Sequence, residues 1–360
     1  MKTVGNDLYA VRCTWMRGGT SKAAFFHASD LPTDPAQRDQ LLLAAMGTDA
    51  LQRDGIGGGQ PLTTKIAIIS SSVQPEADVD YLFGQVVLGE HRIDYSPTCG
   101  NILSAVAPFA IEAGLVDIAG EETAVRIYMV NTKSFCVAKV NTAQQRVNYL
   151  GVTAISGVPG TGAAVELVFS DVAGSSCGSL YPTGNHLDEF DGVGVTCIDN
   201  GMPVVVMKAA DLGVSGYETP AELDANALLK SRIESIRLQA GAKMNLGDVT
   251  NKVVPKMTLI AAAKEGGVIS TRTFIPKKCH DAIGVLGAAS VATACHHEGT
   301  ICAEFLQSNS SDGNGVYSIE HPTGEFTIRI IDQPNQPMQV ALIRTARPLF
   351  TGSVLIPKND

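Results

Sequence analysis

Two stretches of this chain can be helical only if they are kept away from water. Residues 100–114 follow Cys99, and residues 280–292 follow Cys279. Both are apolar almost all round and rich in small residues, and a helix without a polar face belongs inside a protein, here wrapped by sheet. Pro108 is expected to kink the first one. The two cysteines stand 180 positions apart in a chain of 360 residues. That spacing predicts two similar halves, each a sheet curled around a buried helix that begins with a cysteine at its mouth, facing the other half. Identity between the halves is too weak to establish a repeat by itself.

The rest of the chain reads as sheet. Short β-branched runs at 11–16, 65–70, 79–88, 125–130, 135–140, 164–170, 204–208, 257–262, 267–274, 326–331 and 340–345 are separated by Gly, Pro, Asn and Asp turns. Several follow one another with no helix between them, which favours antiparallel pairing over a βαβ array. Residues 36–46 are amphipathic. Residues 220–240 form the clearest surface helix: Thr219 can cap it, Pro220 suits its first turn, and Glu222 completes a capping box. The domain boundary is expected near Gly184, giving domains 1–184 and 185–360, with the last strand free to return to the first.

Composition narrows the function. Apolar residues make up 45% and charged residues 18%, which excludes global disorder. The net charge of −9 and the lack of any Lys/Arg run argue against nucleic acid or a membrane surface as partner. No run reaches the ~18 consecutive apolar residues of a membrane span, and residues 1–9 lack a signal-peptide layout. Eight cysteines are scattered without a C-x-x-C pair, so a disulfide framework or zinc ribbon is not expected. A cytoplasmic protein with free thiols is the expectation.

Several segments could carry chemistry. Cys99-Gly100-Asn101 opens a buried helix, where exposed amides bind carboxylate or oxyanion and favour a thiolate; a plain buried cysteine beside a turn glycine is equally compatible. Arg17-Gly18-Gly19-Thr20-Ser21-Lys22 offers two cations and two hydroxyls around glycines, an anion-holding loop that does not fit the P-loop pattern. Asp54-Gly55-Ile56-Gly57-Gly58-Gly59 is followed by a strand, the wrong order for a dinucleotide fold. Lys65 begins that strand, where partial burial could make it a base, although an edge lysine in water is the commoner fate. Lys277-Lys278-Cys279-His280-Asp281 precedes the second buried helix, and His321-Pro322-Thr323-Gly324 lies in a turn. Cys295-His296-His297 ends that helix as a dipole partner, and no metal-ligand spacing is present.

These segments occur in the order of a known family. Met16-Arg17-Gly18-Gly19-Thr20-Ser21-Lys22, Asp54-Gly55-Ile56-Gly57-Gly58-Gly59, Leu62-Thr63-Thr64-Lys65, Cys99-Gly100-Asn101, Pro182-Thr183-Gly184-Asn185, Asn245-Leu246-Gly247-Asp248-Val249, Cys279-His280 and His321-Pro322-Thr323-Gly324 span nearly the whole chain. The sequence resembles the methylaconitate isomerase family. Residues 79–83, 197–204 and 236–239 resemble the branch that acts on 4-oxalomesaconate in gallate and lignin-derived aromatic catabolism.

The resemblance implies an α+β, diaminopimelate-epimerase-like fold with two pseudo-symmetric domains, each a curled mixed sheet around a buried central helix, and a site in the cleft between them. It implies a cofactor-independent isomerase without metal, acting on a small-molecule tricarboxylate. Lys65 and Cys99 would be the acid–base pair. Arg17, Thr20, Ser21, Thr64, Gly100, Asn101, Lys278, His280, His321 and Thr323 would bind substrate. A cationic Arg17 or Lys22 nearby would help keep Lys65 neutral, and a homodimer is the working expectation for assembly. Alternatives are a 2-methylaconitate cis–trans isomerase, a non-catalytic polycarboxylate-binding protein, and a two-cysteine racemase or epimerase in which Cys279 faces Cys99.

Overall fold

A computed structural model describes residues 2–4, 7–170, 172–306, 315–333 and 338–358. The chain forms two compact units, one of residues 1–168 with 344–360 and the other of residues 169–343. The sequence reading put one boundary near Gly184. The turns after 170 go with the second unit because Asp199 holds them: its carbonyl accepts from Gly174, and its carboxylate accepts from the amides of Ser176 and Cys177, both at 2.8 Å.

In the first unit, strands β1 (Lys2–Val4), β2 (Leu8–Gly18), β3 (Ser21–His27), β4 (Lys65–Ser71), β5 (Val79–Val86), β6 (Ile93–Asp94), β7 (Glu122–Met129), β8 (Ser134–Asn141) and β9 (Ala164–Phe169) build a mixed sheet. Along β2-β3-β4-β5-β7-β8 the pairings run antiparallel, parallel, antiparallel, parallel, antiparallel. Residues 346–357 return from the end of the chain to pair with β2. The first crossover carries helix α1 (Pro35–Met46), capped by Asp34, with Leu42, Ala45 and Met46 packed on Ala24, Phe26, Ile66 and Ile68. The second carries the apolar helix on the opposite face, as α2 (Gly100–Leu103) and α3 (Val106–Glu112). Its break lies at Ser104–Ala105 rather than at Pro108. A proline removes the hydrogen bond to the carbonyl four residues back and clashes with it, and that residue is Ser104.

The second unit has β10 (Asp188–Phe190), β11 (Val193–Asp199), β12 (Pro203–Lys208), β13 (Lys256–Ala262), β14 (Ile269–Phe274), β15 (Val316–His321), β16 (Gly324–Ile331) and the start of β17 (Gln339–Pro357), with residues 339–342 on β16. Along β11-β12-β13-β14-β15-β16 the same alternation recurs: antiparallel, parallel, antiparallel, parallel, antiparallel. The first crossover again carries the surface helix and the second the apolar one, α6 (Val285–His296). The repeat extends to side chains. Val205, Met207, Met257 and Leu259 meet the surface helix in the register positions that Ala24, Phe26, Ile66 and Ile68 occupy in the first unit.

Two expectations need correction. The 220–240 helix is two helices, α4 (Pro220–Ala225) and α5 (Ala227–Lys243), because Asn226 leaves helical geometry and its side chain caps the second by accepting from Leu229. The second apolar helix does not begin at Cys279. Cys279 bridges Phe274 as an isolated β-pair and gives its amide to Asp224, while the His280 ring bonds the backbone of Ala282. These contacts hold residues 279–283 out of the helix, which starts after Gly284.

Arg237 on α5 is fully buried. Its guanidinium pairs with Glu234 at 2.7 Å and donates to the carbonyls of Val249, Lys252 and Val254 at 3.0–3.2 Å. It thereby fixes the loop that leads into β13. Replacing it with Met removes one partner of a largely buried charge pair and strands three carbonyls, so Arg237→Met is expected to cost about 3 kcal/mol or more in denaturant unfolding. A midpoint within error of wild type would contradict this role.

Candidate active site

Lys65 is the first residue of β4 and is 8% exposed. In the β4–β5 register it stands opposite Gln85, with Ala67 opposite Phe83 and Ile69 opposite Tyr81. Side chains alternate faces along a strand, so Lys65, Gln85, Phe83 and Tyr81 share one face. The contacts agree: Lys65 Nζ donates to Gln85 Oε1 at 2.7 Å and lies 5.3 Å from the Phe83 ring centroid. The Phe83 ring is 6.4 Å from that of Tyr81, whose hydroxyl reaches the Cys99 carbonyl at 3.5 Å. A chain of three side chains thus leads across one face from the lysine amine to the cysteine at the helix mouth. Burial, and the Cys99 thiol beside it, push the Tyr81 phenol well above its usual range.

The apolar helix seats its first turn on the β2–β3 hairpin. A Cβ on Gly18 would collide with the Asn101 carbonyl oxygen, and one on Gly19, whose φ is +51°, would collide with the Asn101 side chain. Thr20 Oγ1 accepts from Asn101 Nδ2 at 3.0 Å. Cys99 is the N-cap without a side-chain cap bond, and the first intrahelical bond runs from Leu103 N–H to its carbonyl at 2.9 Å. The Gly100 and Asn101 amides therefore lie at the open end of the helix. Two buried oxygens here, the Ser21 hydroxyl and Asn101 Oδ1, have no hydrogen-bond partner among the described residues. Ser21 precedes Ala23, the register neighbour of Lys65, by two residues, so it lies on the lysine's face. Unsatisfied buried polar atoms cost free energy unless something else binds them.

Other predicted residues take supporting positions. Arg17 donates to the carbonyls of Gly19 and Thr345, both at 2.9 Å, and braces the hairpin. Burial, and the nearby Arg347 charge, push its guanidinium below the usual value. Arg17 pairs with Lys22 in register positions that alternate with Ala23, so both belong to the face opposite Lys65. Thr64 is fully buried, and its hydroxyl accepts from Gln52 Nε2 at 2.5 Å.

In the second unit, Lys278 and His280 line a concavity of about 680 Å³ with Pro220, Asp224, Cys279 and Asp281. Thr323 Oγ1 donates to the Asp281 carbonyl at 2.8 Å, and the Thr323 amide donates to His321 at 3.3 Å. Cys279 is 3% exposed; burial, then the Asp224 carboxylate, raises its thiol to about 11. Such a thiol is protonated at neutral pH. Sequence reading missed Gln85 and Tyr81. Their alternation with Phe83, read together with Lys65 at the start of the neighbouring strand, was the signal available. Among the described residues no His/Cys/Asp/Glu group could hold a metal ion, and no helix is long and apolar enough to cross a membrane.

Methylitaconate-delta-isomerase superposes on the chain with a TM-score of 0.85 at 31% identity, over 98% of this chain and 96% of that one. Two relatives are closer in sequence. The 4-oxalomesaconate tautomerase of Pseudomonas putida is 54% identical over 350 residues, 97% of each chain. The (4E)-oxalomesaconate Delta-isomerase of a Novosphingobium species is 52% identical over 346 residues, 96% of this chain and 97% of that protein. The protein is thus an isomerase with the diaminopimelate-epimerase-like fold. More particularly, residues 8–357 match the PrpF protein family, to which the chain belongs.

All eight cysteines are free thiols, and Cys99 alone is not buried. A thiol reagent of the Ellman type should therefore titrate one group in the native protein and eight after unfolding, and none quickly in Cys99→Ser. Two or more fast thiols in the native protein would contradict this burial pattern.

Proposed function

We propose that this isomerase moves a proton in 4-oxalomesaconate without a cofactor, by keto–enol tautomerisation or a 1,3-allylic shift, in the breakdown of gallate and lignin-derived aromatics. The observation that carries this reading is the shared face of the Lys65 amine and the Cys99 helix mouth, with the unsatisfied Ser21 hydroxyl beside it. The similarity to relatives named for oxalomesaconate isomerisation supports the choice of substrate.

In this reading a base removes a C–H proton that conjugation with the keto group and carboxylates has made acidic. Charge spreads into a dienolate, and a proton returns at the other end of the allyl system or on oxygen, so no atom is lost or gained. Lys65 and Cys99 act as the acid–base pair. The Gly100 and Asn101 amides face the developing negative charge, where preorganised donors stabilise most. Ser21 and Thr20 hold carboxylates from the hairpin. Arg17 and Thr64 keep that hairpin and the start of β4 in place. Lys278, His280, His321 and Thr323 are the remaining carboxylate-binding candidates.

The test is NMR of the purified protein with oxalomesaconate in D₂O. Wild type should incorporate deuterium. Lys65→Met and Cys99→Ser should each slow exchange by about 10²–10⁴-fold, the usual worth of a positioned acid or base. Wild-type exchange in both variants would remove them from the mechanism, and binding without any deuterium uptake would favour a sensor.

A further inference from the structure

Lys65 has a neutral partner where an ion pair could stand. It is 8% exposed, and among the described residues it makes no ion pair. Its contacts are the Gln85 amide oxygen at 2.7 Å and the Phe83 ring.

The Gln85 amide can point only one way. Its Nε2 donates to the Thr64 carbonyl at 3.1 Å and lies 3.4 Å from the carbonyls of Pro61 and Val86. Turned over, the amide would set its oxygen against three other acceptors and its NH₂ against the lysine amine. The Thr64 carbonyl also accepts from the Val86 amide at 3.2 Å, so one oxygen ties Gln85 to the start of β4. Two residues earlier, where β7 has stopped pairing with β5, Asn131 holds the Phe83 backbone through bonds of 2.9 and 2.8 Å. The acceptor that Lys65 meets is therefore fixed in place and in orientation.

An amide oxygen suits a lysine that must change protonation. It accepts an N–H from the ammonium and from the neutral amine alike. In the neutral amine that donation leaves the lone pair directed away from Gln85. A carboxylate at the same point would favour the ammonium. The neighbours of Lys65 on this face, Ser21, Ala23 and Phe25 of β3, Ala67 of β4 and Phe83 of β5, do not titrate. Farther along it stand Tyr81, raised by burial, and Cys99 at the helix mouth, while Arg17 and Lys22 belong to the opposite face.

We propose that Gln85 is the positioning residue of Lys65: it aims the amine and keeps its partner uncharged through the proton transfer. This rests on the acid–base role given to Lys65 in the function proposed above. Titrating the lysine without substrate lets the two fail separately.

Two substitutions separate aim from charge. Gln85→Glu keeps an acceptor and adds a charge; Gln85→Leu removes the acceptor. In protein labelled with [¹³Cε]lysine, the Lys65 NMR signal, assigned by its loss in Lys65→Met, reports protonation in the absence of substrate. Its midpoint should lie about 1 pH unit or more higher in Gln85→Glu than in wild type. With oxalomesaconate, one limb of the pH profile of kcat/KM should move up with it. Gln85→Leu should lower kcat about 10- to 100-fold at every pH with little change in KM. A purely structural glutamine would lower the melting temperature of both variants and leave midpoint and profile in place, and that result would overturn the assignment. So would wild-type kcat in Gln85→Leu. A raised midpoint in Gln85→Glu, in a protein whose wild type leaves oxalomesaconate unchanged, would keep Gln85 as the partner that sets the lysine's charge and overturn the proposed reaction.

Discussion

The first unit depends on one close approach: the start of a buried helix pressed onto a hairpin that has no side chains to keep it away. Gly18 and Gly19 leave room for the Asn101 carbonyl and side chain, and any Cβ there would collide with them. That contact brings Cys99 and the amides after it down onto the sheet. The register of β4 against β5 then puts Lys65, Gln85, Phe83 and Tyr81 on the same side. Position and chemistry follow from packing, since an apolar helix can fold only when covered and its uncapped first turn is the polar feature it offers.

Each unit solves the same packing problem with the same order of pairings. A surface helix covers one face of the sheet and an apolar helix covers the other. The first unit dresses this frame with a cysteine as N-cap, an asparagine bonded to the hairpin and a lysine resting on a glutamine. The second replaces the helix-mouth cysteine by Gly284 and the asparagine by Leu286, and its Cys279 is buried upstream with a raised thiol.

Much of this was legible in the sequence. The two buried helices stood out by composition, and most strands by their β-branched runs. Pro108 announced a kink, but its position four residues earlier follows from which carbonyl the proline opposes. Residues 21–27 and 193–199 escaped as strands because Ala in the first and Gly and Cys in the second dilute their β-branched signal, while pairing on both sides fixes them in the sheet. The late start of α6 was not legible, because it depends on Asp224, which lies 55 positions away from Cys279. Cys99, Gly100 and Asn101 could be picked out locally. The pairing of Lys65 with Gln85 required the register of β4 against β5, which sequence alone did not supply.

A crystal structure of the protein with tricarballylate bound tests the central claim most directly. The account predicts one carboxylate against the Gly100 and Asn101 amides, and a ligand carbon within reach of both Lys65 Nζ and Cys99 Sγ. A ligand that touches neither the lysine nor the helix mouth, or a Cys99 thiol turned away from the face that carries Lys65, would contradict it.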